Sequence, residues 1–383
     1  MAGSRLLVLL DVWPVTAPEE PPVPPPGTVA PVPAPPAAVT LLPRPPSARA
    51  DVLLAGAQQA TLTVTAGDVT EDENRAQRRL ATVTTVDETL IPSDMTSLLA
   101  PRGTELRLYR DDVAVGVFRV SKPKTAAKAG QTVLTVEGVD RSRQISRARW
   151  EEPYPVDAGT LLHTAIAAIV EDRAPGTPTL LNPAGYVTPS PLVFGLDSQS
   201  DPWKDLVGLA TAAGMSLFFD VDGVLRLRPA LEDPNPVATI VEGSGLLHAV
   251  QRDLDEEQTY NGVVVTGEAP GMAPVRAVVW DTDPLSPTYY LGPFGKVPQF
   301  YTSPLITSTE QAEAAGLEIL ARKLGALESV SVTCHPDATL HAGDVVRLGH
   351  AASRTDGYYI VSSLRLPLGP GPMSLTCRAR RTP

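Results

Sequence analysis

GTELRLYRDDVAVGVFRV, residues 103–120, has an echo much later in the chain in GDVVRLGHAASRTDGYYIV, residues 343–361. In each copy a glycine opens an apolar-Arg-Leu triplet, Leu106-Arg107-Leu108 or Val346-Arg347-Leu348. A loop of seven or eight residues follows, and then Gly-x-aromatic-x-Val, Gly116 to Val120 or Gly357 to Val361. Mechanically this is a turn glycine, a strand, a hairpin loop and the returning strand. Its recurrence predicts an internal duplication, two similar β-barrels with other material between them.

Outward from the first copy, short β-rich runs dominate. Ala60–Val64 and Arg79–Val86 alternate in polarity, and Val115–Val120 and Thr132–Val139 follow at spacings of roughly ten residues, as in a small barrel or sandwich. No helix of clear period precedes residue 155. Beyond Asp140 the character changes. Leu161, Leu162, Ala165, Ile166, Ile169 and Val170 follow helical spacing and stop before Pro175. Asp201 caps a second helix with Pro202 at its first position, Trp203, Leu206, Val207 and Ala210 as its apolar stripe, and Gly214 as its stop. Leu217–Val221 and Val224–Arg228 around Asp222-Gly223 read as a tight hairpin. These segments form an α+β insert over 144–236. β structure then returns with the valine-rich strand Gly262–Gly267. The stretch 281–304, crowded with proline and aromatic residues, reads as a long structured loop. Ser308 and Gln311 make a capping box for a helix presenting Ala312, Ala315, Ile319, Leu320 and Leu324.

The 383 residues are 43% hydrophobic and 20% charged, enough apolar material for real cores. A net charge of −11 argues against a nucleic-acid-coating role, and no apolar run reaches the roughly 20 residues of a membrane span. The 40 prolines, about double ordinary usage, crowd the N-terminal region. Leu6–Leu10 is too short before Asp11 for the core of a cleaved signal, so residues 6–13 read as a short apolar strand. Pro14–Pro46 is either a disordered tail or an extended arm whose apolar tip docks on a neighbouring subunit.

Catalysis has no candidate set. His163, His248, His335, His341 and His350 form no metal-ligand spacing, and His163 reads as structural within its helix. No phosphate loop, dinucleotide fingerprint or nucleophile elbow occurs, and acid pairs such as Glu151-Glu152 read as solvated surface. Cys334 and Cys377 read as reduced core residues. No cofactor or metal is expected.

Two longer stretches carry a resemblance. ATVTTVDETLIPSDMTSLLAPRGTELRLY (81–109) and YNGVVVTGEAPGMAPVRAVVWDTDPLSPTYYLGPFGKVPQFYTSPL (260–305) resemble minor tail proteins of actinobacterial phages, which are similar to baseplate hub, or tail-associated, proteins. Asp201-Pro202-Trp203 and Phe218-Phe219-Asp-Val-Asp-Gly fit the same group, over roughly 50–380. The resemblance implies a mainly β (α+β) chain with two tail-tube-like β-barrels. The barrels would span 47–143 and 237–270 with 305–383, flanking the insert; the arm (1–46) and the loop (271–304) complete the chain. It further implies a homotrimer forming a pseudo-sixfold ring at the tail tip of a virion. Its partners would be a distal tail or tail tube protein, a tape measure protein and downstream tip or fibre proteins, with DNA in transit. The second barrel ends the sequence where many hubs carry a peptidase or lysozyme, so no enzymatic role is expected. Alternatives are a receptor- or cell-wall-binding tail protein or, less in keeping with the residues, a cell-wall hydrolase. Candidate interface residues are Arg107 and Arg347, at matched hairpin positions where a carboxylate would pair with them, and the aromatics Trp280, Tyr289, Tyr290, Phe294, Phe300 and Tyr301. Strands facing a DNA channel are expected to carry more Asp and Glu than Lys and Arg.

Overall fold

A computed structural model describes residues 46–380 except 129–130, 182–184, 189–190, 197–199, 230–234, 258, 269–272 and 326–327. The arm expected over 1–46 lies outside the described residues but for Pro46.

The first β unit comprises β1 (Ala48–Leu54), β2 (Ala57–Thr63), β3 (Ala66–Asp72), β4 (Arg79–Thr85), β5 (Glu105–Arg110), β6 (Val113–Lys128) and β7 (Gln131–Val139). They pair in the order β3-β4-β7-β6-β5-β1-β2. Ala50, Val52 and Leu62 at one end of that order share a core with Val69, Val83 and Leu134 near the other, so the sheet curls on itself. A short helix, α1 (Ser142–Arg147), follows; six residues are too few to show a helical period in sequence.

The insert holds β8 (Tyr154–Val156), α2 (Leu162–Arg173), β9 (Thr179–Leu181), β10 (Leu192–Phe194), α3 (Pro202–Ala212), β11 (Met215–Phe219) and β12 (Leu225–Pro229). Both expected helices form, and the Asp201 carboxylate accepts from the Trp203 N–H at 3.0 Å. They pack with β11 and β12 around Ile166, Trp203, Leu206 and Phe219.

The second β unit is built from β13 (Ala238–Val241), β14 (Leu247–Leu254), then, past an excursion, β18 (Glu328–Cys334), β19 (Val345–His350), β20 (Thr355–Pro367) and β21 (Met373–Ala379). The excursion is β15 (Gly262–Gly267), β16 (Val275–Trp280), β17 (Pro298–Ser303) and α4 (Thr309–Gly325). Strand β15 and helix α4, assigned to the second barrel from sequence, instead build a separate three-stranded sheet, β16-β15-β17, with a core of Val263, Val265, Ala312, Ala315, Leu320 and Leu324. The loop expected over 281–304 also ends in a strand. Pro298 occupies the first position of β17, where its missing N–H is tolerated, and β17 runs parallel to β15. The capping box opens α4: Gln311 N–H donates to Ser308 Oγ and Ser308 N–H to Gln311 Oε1, each at 3.3 Å.

The duplication extends well beyond the hairpin. The second unit pairs in the order β14-β18-β21-β20-β19-β13, which matches β3-β4-β7-β6-β5-β1 strand for strand. Leu108 faces Gly116 as Leu348 faces Gly357, and Arg107 faces Val117 as Arg347 faces Tyr358. Five residues after each glycine the returning strand bulges, at Ser121 and at Ser362. Gly103 (φ 106°) and Gly343 (φ 91°) both occupy the left-handed region their turns require. One difference stands out: β13 runs parallel to β19, whereas β1 runs antiparallel to β5.

Candidate assembly interface

The two β units are fused edge to edge. β3 of the first pairs antiparallel with the distal half of β20 of the second, Asp72 opposite Ser363, Thr70 opposite Arg365 and Asp68 opposite Pro367. Glu73 N–H donates to the Ser362 carbonyl at 3.0 Å and Leu368 N–H to the Gly67 carbonyl at 2.9 Å. Side chains reinforce the seam. Arg365 pairs with Asp68 at 3.1 Å and Arg378 with Glu73 at 3.0 Å, while the Arg110 guanidinium donates to the Pro367 carbonyl. Under the seam Glu71 lies buried between Arg78 (3.0 Å) and Arg79 (2.9 Å). Arg79 also meets His341 Nδ1 at 3.2 Å, and Arg78 donates to the Ala342 carbonyl. Burial pushes the Glu71 carboxyl up, but Arg79, His341 and Arg78 outweigh it and hold the group well below the usual carboxylate range.

Eight neighbouring strands, β14-β18-β21-β20-β3-β4-β7-β6, thus form one continuous surface. Register places Ser329, Ser331, Thr333, Ser374, Thr376, Ser363, Thr70, Thr82, Thr84 and Thr135 on its non-core face. The charges on that face are Asp68, Asp72, Glu137 and Asp253 against Arg119, Lys122, Lys124, Arg365 and Arg378, so acids are not in excess there. Lys124 holds Glu137 at 2.7 Å.

Both ends of this surface are open among the described residues. β14 has β18 on one side and no strand on the other, and β6 beyond Ser121 pairs only with β7. The open part of β6 exposes Lys122 and Lys124, and β14 ends in Leu254, 66% exposed.

The candidate residues named from sequence fall in two places. Arg107 reaches Asp222 at 3.4 Å and, with Arg141, whose Nη1 donates to the Gly223 carbonyl at 2.9 Å, fastens the insert's hairpin tip to the first β unit. Arg347 pairs with Asp356 of the adjoining strand and lies over the Tyr358 ring. Each arginine thus holds a carboxylate of its own chain. Of the aromatics, Trp280 stacks on Tyr290 (6.0 Å, 24°), Tyr289 meets Tyr290 edge-on (5.3 Å), and Lys296 Nζ lies over both Trp280 and Tyr290. Phe294 is half-buried in the same loop. On β17, Tyr301 packs toward the α4 core, while Phe300 turns away and is 69% exposed, alongside Val278 on the same sheet face.

A cavity of about 640 Å³ lies where the seam, the insert and the 341–344 turn meet, lined by Glu71, Arg78, Arg79, Phe218, Asp220, Arg226, His341 and Asp344. Its acids are engaged: Glu71 by two arginines, Asp220 by Arg226 at 2.6 Å, Asp344 by the His341 N–H at 2.7 Å. Burial pushes the Asp344 carboxyl up, against the His341 N–H and ring that favour its ionised form. Cys334 and Cys377 are buried and unbridged, their thiols pushed up by burial to about 11 and about 12. No group of described residues could hold a metal ion, and no described helix is long and apolar enough to cross a membrane.

The fold is shared with solved tail proteins. The chain superposes on the tail protein of Neisseria meningitidis MC58 with a TM-score of 0.64 at 15% identity, over 88% of this chain and 97% of that one. The 43 kDa tail protein of prophage MuSo2 from Shewanella oneidensis gives 0.65 at 13%, over 88% and 98%. A component of the Escherichia coli type VI secretion system, structurally similar to T4 bacteriophage tail proteins gp27 and gp5, gives 0.53 at 8%, over 86% and 77%. No protein-family model and no curated protein sequence matches the chain.

Proposed function

We propose that the protein is a structural hub of a phage tail tip, or of a related tail-like particle. Three copies would place six equivalent β units in a pseudo-sixfold ring between the sixfold tail tube and threefold tip proteins. The observation that carries this reading is the strand-for-strand duplication fused into one sheet: a chain with two equivalent units converts threefold copy number into sixfold contacts. The hydroxyl-rich face of the eight shared strands is the wall this ring would turn toward passing DNA. That wall is close to charge-balanced rather than acidic as expected from sequence, with five bases against four acids. Near-balance serves the same end, because lysines and arginines largely matched by carboxylates offer few net contacts to phosphate. Distal tail, tape measure and fibre proteins are the expected neighbours, and the role is structural, not enzymatic.

Native mass spectrometry of the purified chain is the test. A species of three times 40.5 kDa, with no salt-resistant binding to duplex DNA, is expected; a hexamer, or tight DNA binding at physiological salt, would overturn the reading. A second reading, attachment to the host surface, is favoured by the exposed Phe300, Leu291 and Leu285. Binding to purified cell wall that is lost in Phe300→Ser would establish it.

A further inference from the structure

The internal seam supplies a template for the contact between copies. Within one chain, β3 sits on the distal half of β20. By the duplication, β14 is the equivalent of β3, and β6 the equivalent of β20. β14 and the distal half of β6 are the two open ends of the eight-strand surface among the described residues. Resting on the ring reading above, we infer that β14 of one copy adds to the distal half of β6 of the next copy, in the register that the internal seam dictates.

That register follows residue by residue. The glycine and bulge positions align Ser363, Arg365 and Pro367 of β20 with Lys122, Lys124 and Ala126 of β6. On the other strand, Thr376 aligns with Glu137 and Ser331 with Thr82 through the shared pairing of their neighbours. This brings Asp68, Thr70 and Asp72 onto Gln251, Asp253 and Asp255. Asp253 therefore falls opposite Lys124, Asp255 opposite Lys122, and Gln251 opposite Ala126. Nothing in the alignment used charge, yet both acids meet a lysine. Opposite charges on directly facing residues favour one pairing over its slipped alternatives.

Two further features agree. In the seam, Glu73 and Gly67 bond to Ser362 and Leu368, so the even-numbered residues of β20 turn their backbone groups toward β3. Their β6 equivalents include Pro123, whose missing N–H therefore lies on the open edge and spares the β6–β7 ladder. The joint between copies loses one bond there, but the facing residue is Leu254, the exposed leucine, which covers the proline ring. Lysines and a proline on an edge also discourage random sheet pairing by the free chain.

The test is a disulfide placed across the joint. Gln251 and Ala126 would form a non-hydrogen-bonded facing pair, with Cα atoms about 4.5 Å apart, within disulfide reach. The native cysteines are buried and do not compete. Gln251→Cys/Ala126→Cys, oxidised in the assembled full chain, is expected to give covalent trimers on a denaturing gel, whereas Gln251→Cys/Thr125→Cys, with one side chain on the opposite face, should not. Asp253→Lys should weaken trimer formation about tenfold, and adding Lys124→Glu should restore it. A stable trimer that fails to cross-link at 251/126 would overturn this joint and leave the ring standing. A chain that stays monomeric at high concentration would overturn both.

Discussion

β6 and β20 are the same strand in two settings. β20 is paired along both edges in its distal half, by β21 and by β3, and its Arg365 meets Asp68 across the seam. β6 extends as far past its bulge but, among the described residues, has only β7 beside it there, and its Lys124 reaches back to Glu137 on that same neighbour. The difference is one of context, since register, bulge and glycine positions agree. A strand completed inside the chain in one unit and left open in the other is the edge at which the proposed second copy would add.

The two settings should differ most in stability at the seam. Glu71→Ala leaves Arg78 and Arg79 buried without their carboxylate and should cost about 3–5 kcal/mol in urea unfolding. Asp253→Ala on the open edge should change the unfolding of the isolated chain by less than about 0.5 kcal/mol. Equal costs at the two sites would show that the seam is not the tighter one.

Glu71 also sets an acid limb. Its carboxyl titrates well below its ordinary range in the folded chain, so the stability it contributes is complete above the unfolded value near 4.5 and is lost progressively as pH falls below it. Thermal unfolding followed from pH 6 to pH 3 should fall more steeply for the natural protein than for Glu71→Gln, which starts lower and has no such proton to take up. Parallel curves would remove Glu71 as the origin.

The matched glycines of the two strands differ on a smaller scale. A Cβ on Gly116, at φ 149°, would come within 2.5 Å of the Phe118 ring, whereas one on Gly357 would meet Tyr359 at an ordinary 3.6 Å. Gly116→Ala should cost about 1–3 kcal/mol, and Gly357→Ala less than about 0.5 kcal/mol or nothing. A small effect is also expected for Lys124→Ala in the isolated chain, where an exposed ion pair contributes under about 0.5 kcal/mol, although assembly should weaken.

Much of this architecture was legible in the sequence because it is written locally. The Gly103 and Gly343 hairpins, the Asp201 and Ser308 caps and the helix stripes each lie within a few residues of their own signal. The seam left no such trace, since pairing Thr70 with Arg365 depends on segments nearly the whole chain apart. Nothing in the sequence singles out Glu71, Arg78 and Arg79, because the partners that meet them, His341 and Ala342, belong to the other unit. The parallel strand Pro298–Ser303 was hidden by its proline-rich approach, and β15 was assigned to the wrong sheet because a valine run does not say which neighbours bury it. One signal of the open edge was available: Lys122-Pro123-Lys124 within a strand marks an edge that must not pair at random.

Whether the two units of one chain occupy equivalent positions in a ring closed by a second set of the same contacts can be read from a cryo-EM map of the tail tip. Three copies, six β units at equal radius, and unbroken sheet pairing that alternates between β3–β20 within a chain and β14–β6 between chains are expected. A plane holding six copies, or three copies whose β14 edges face solvent, would contradict this arrangement.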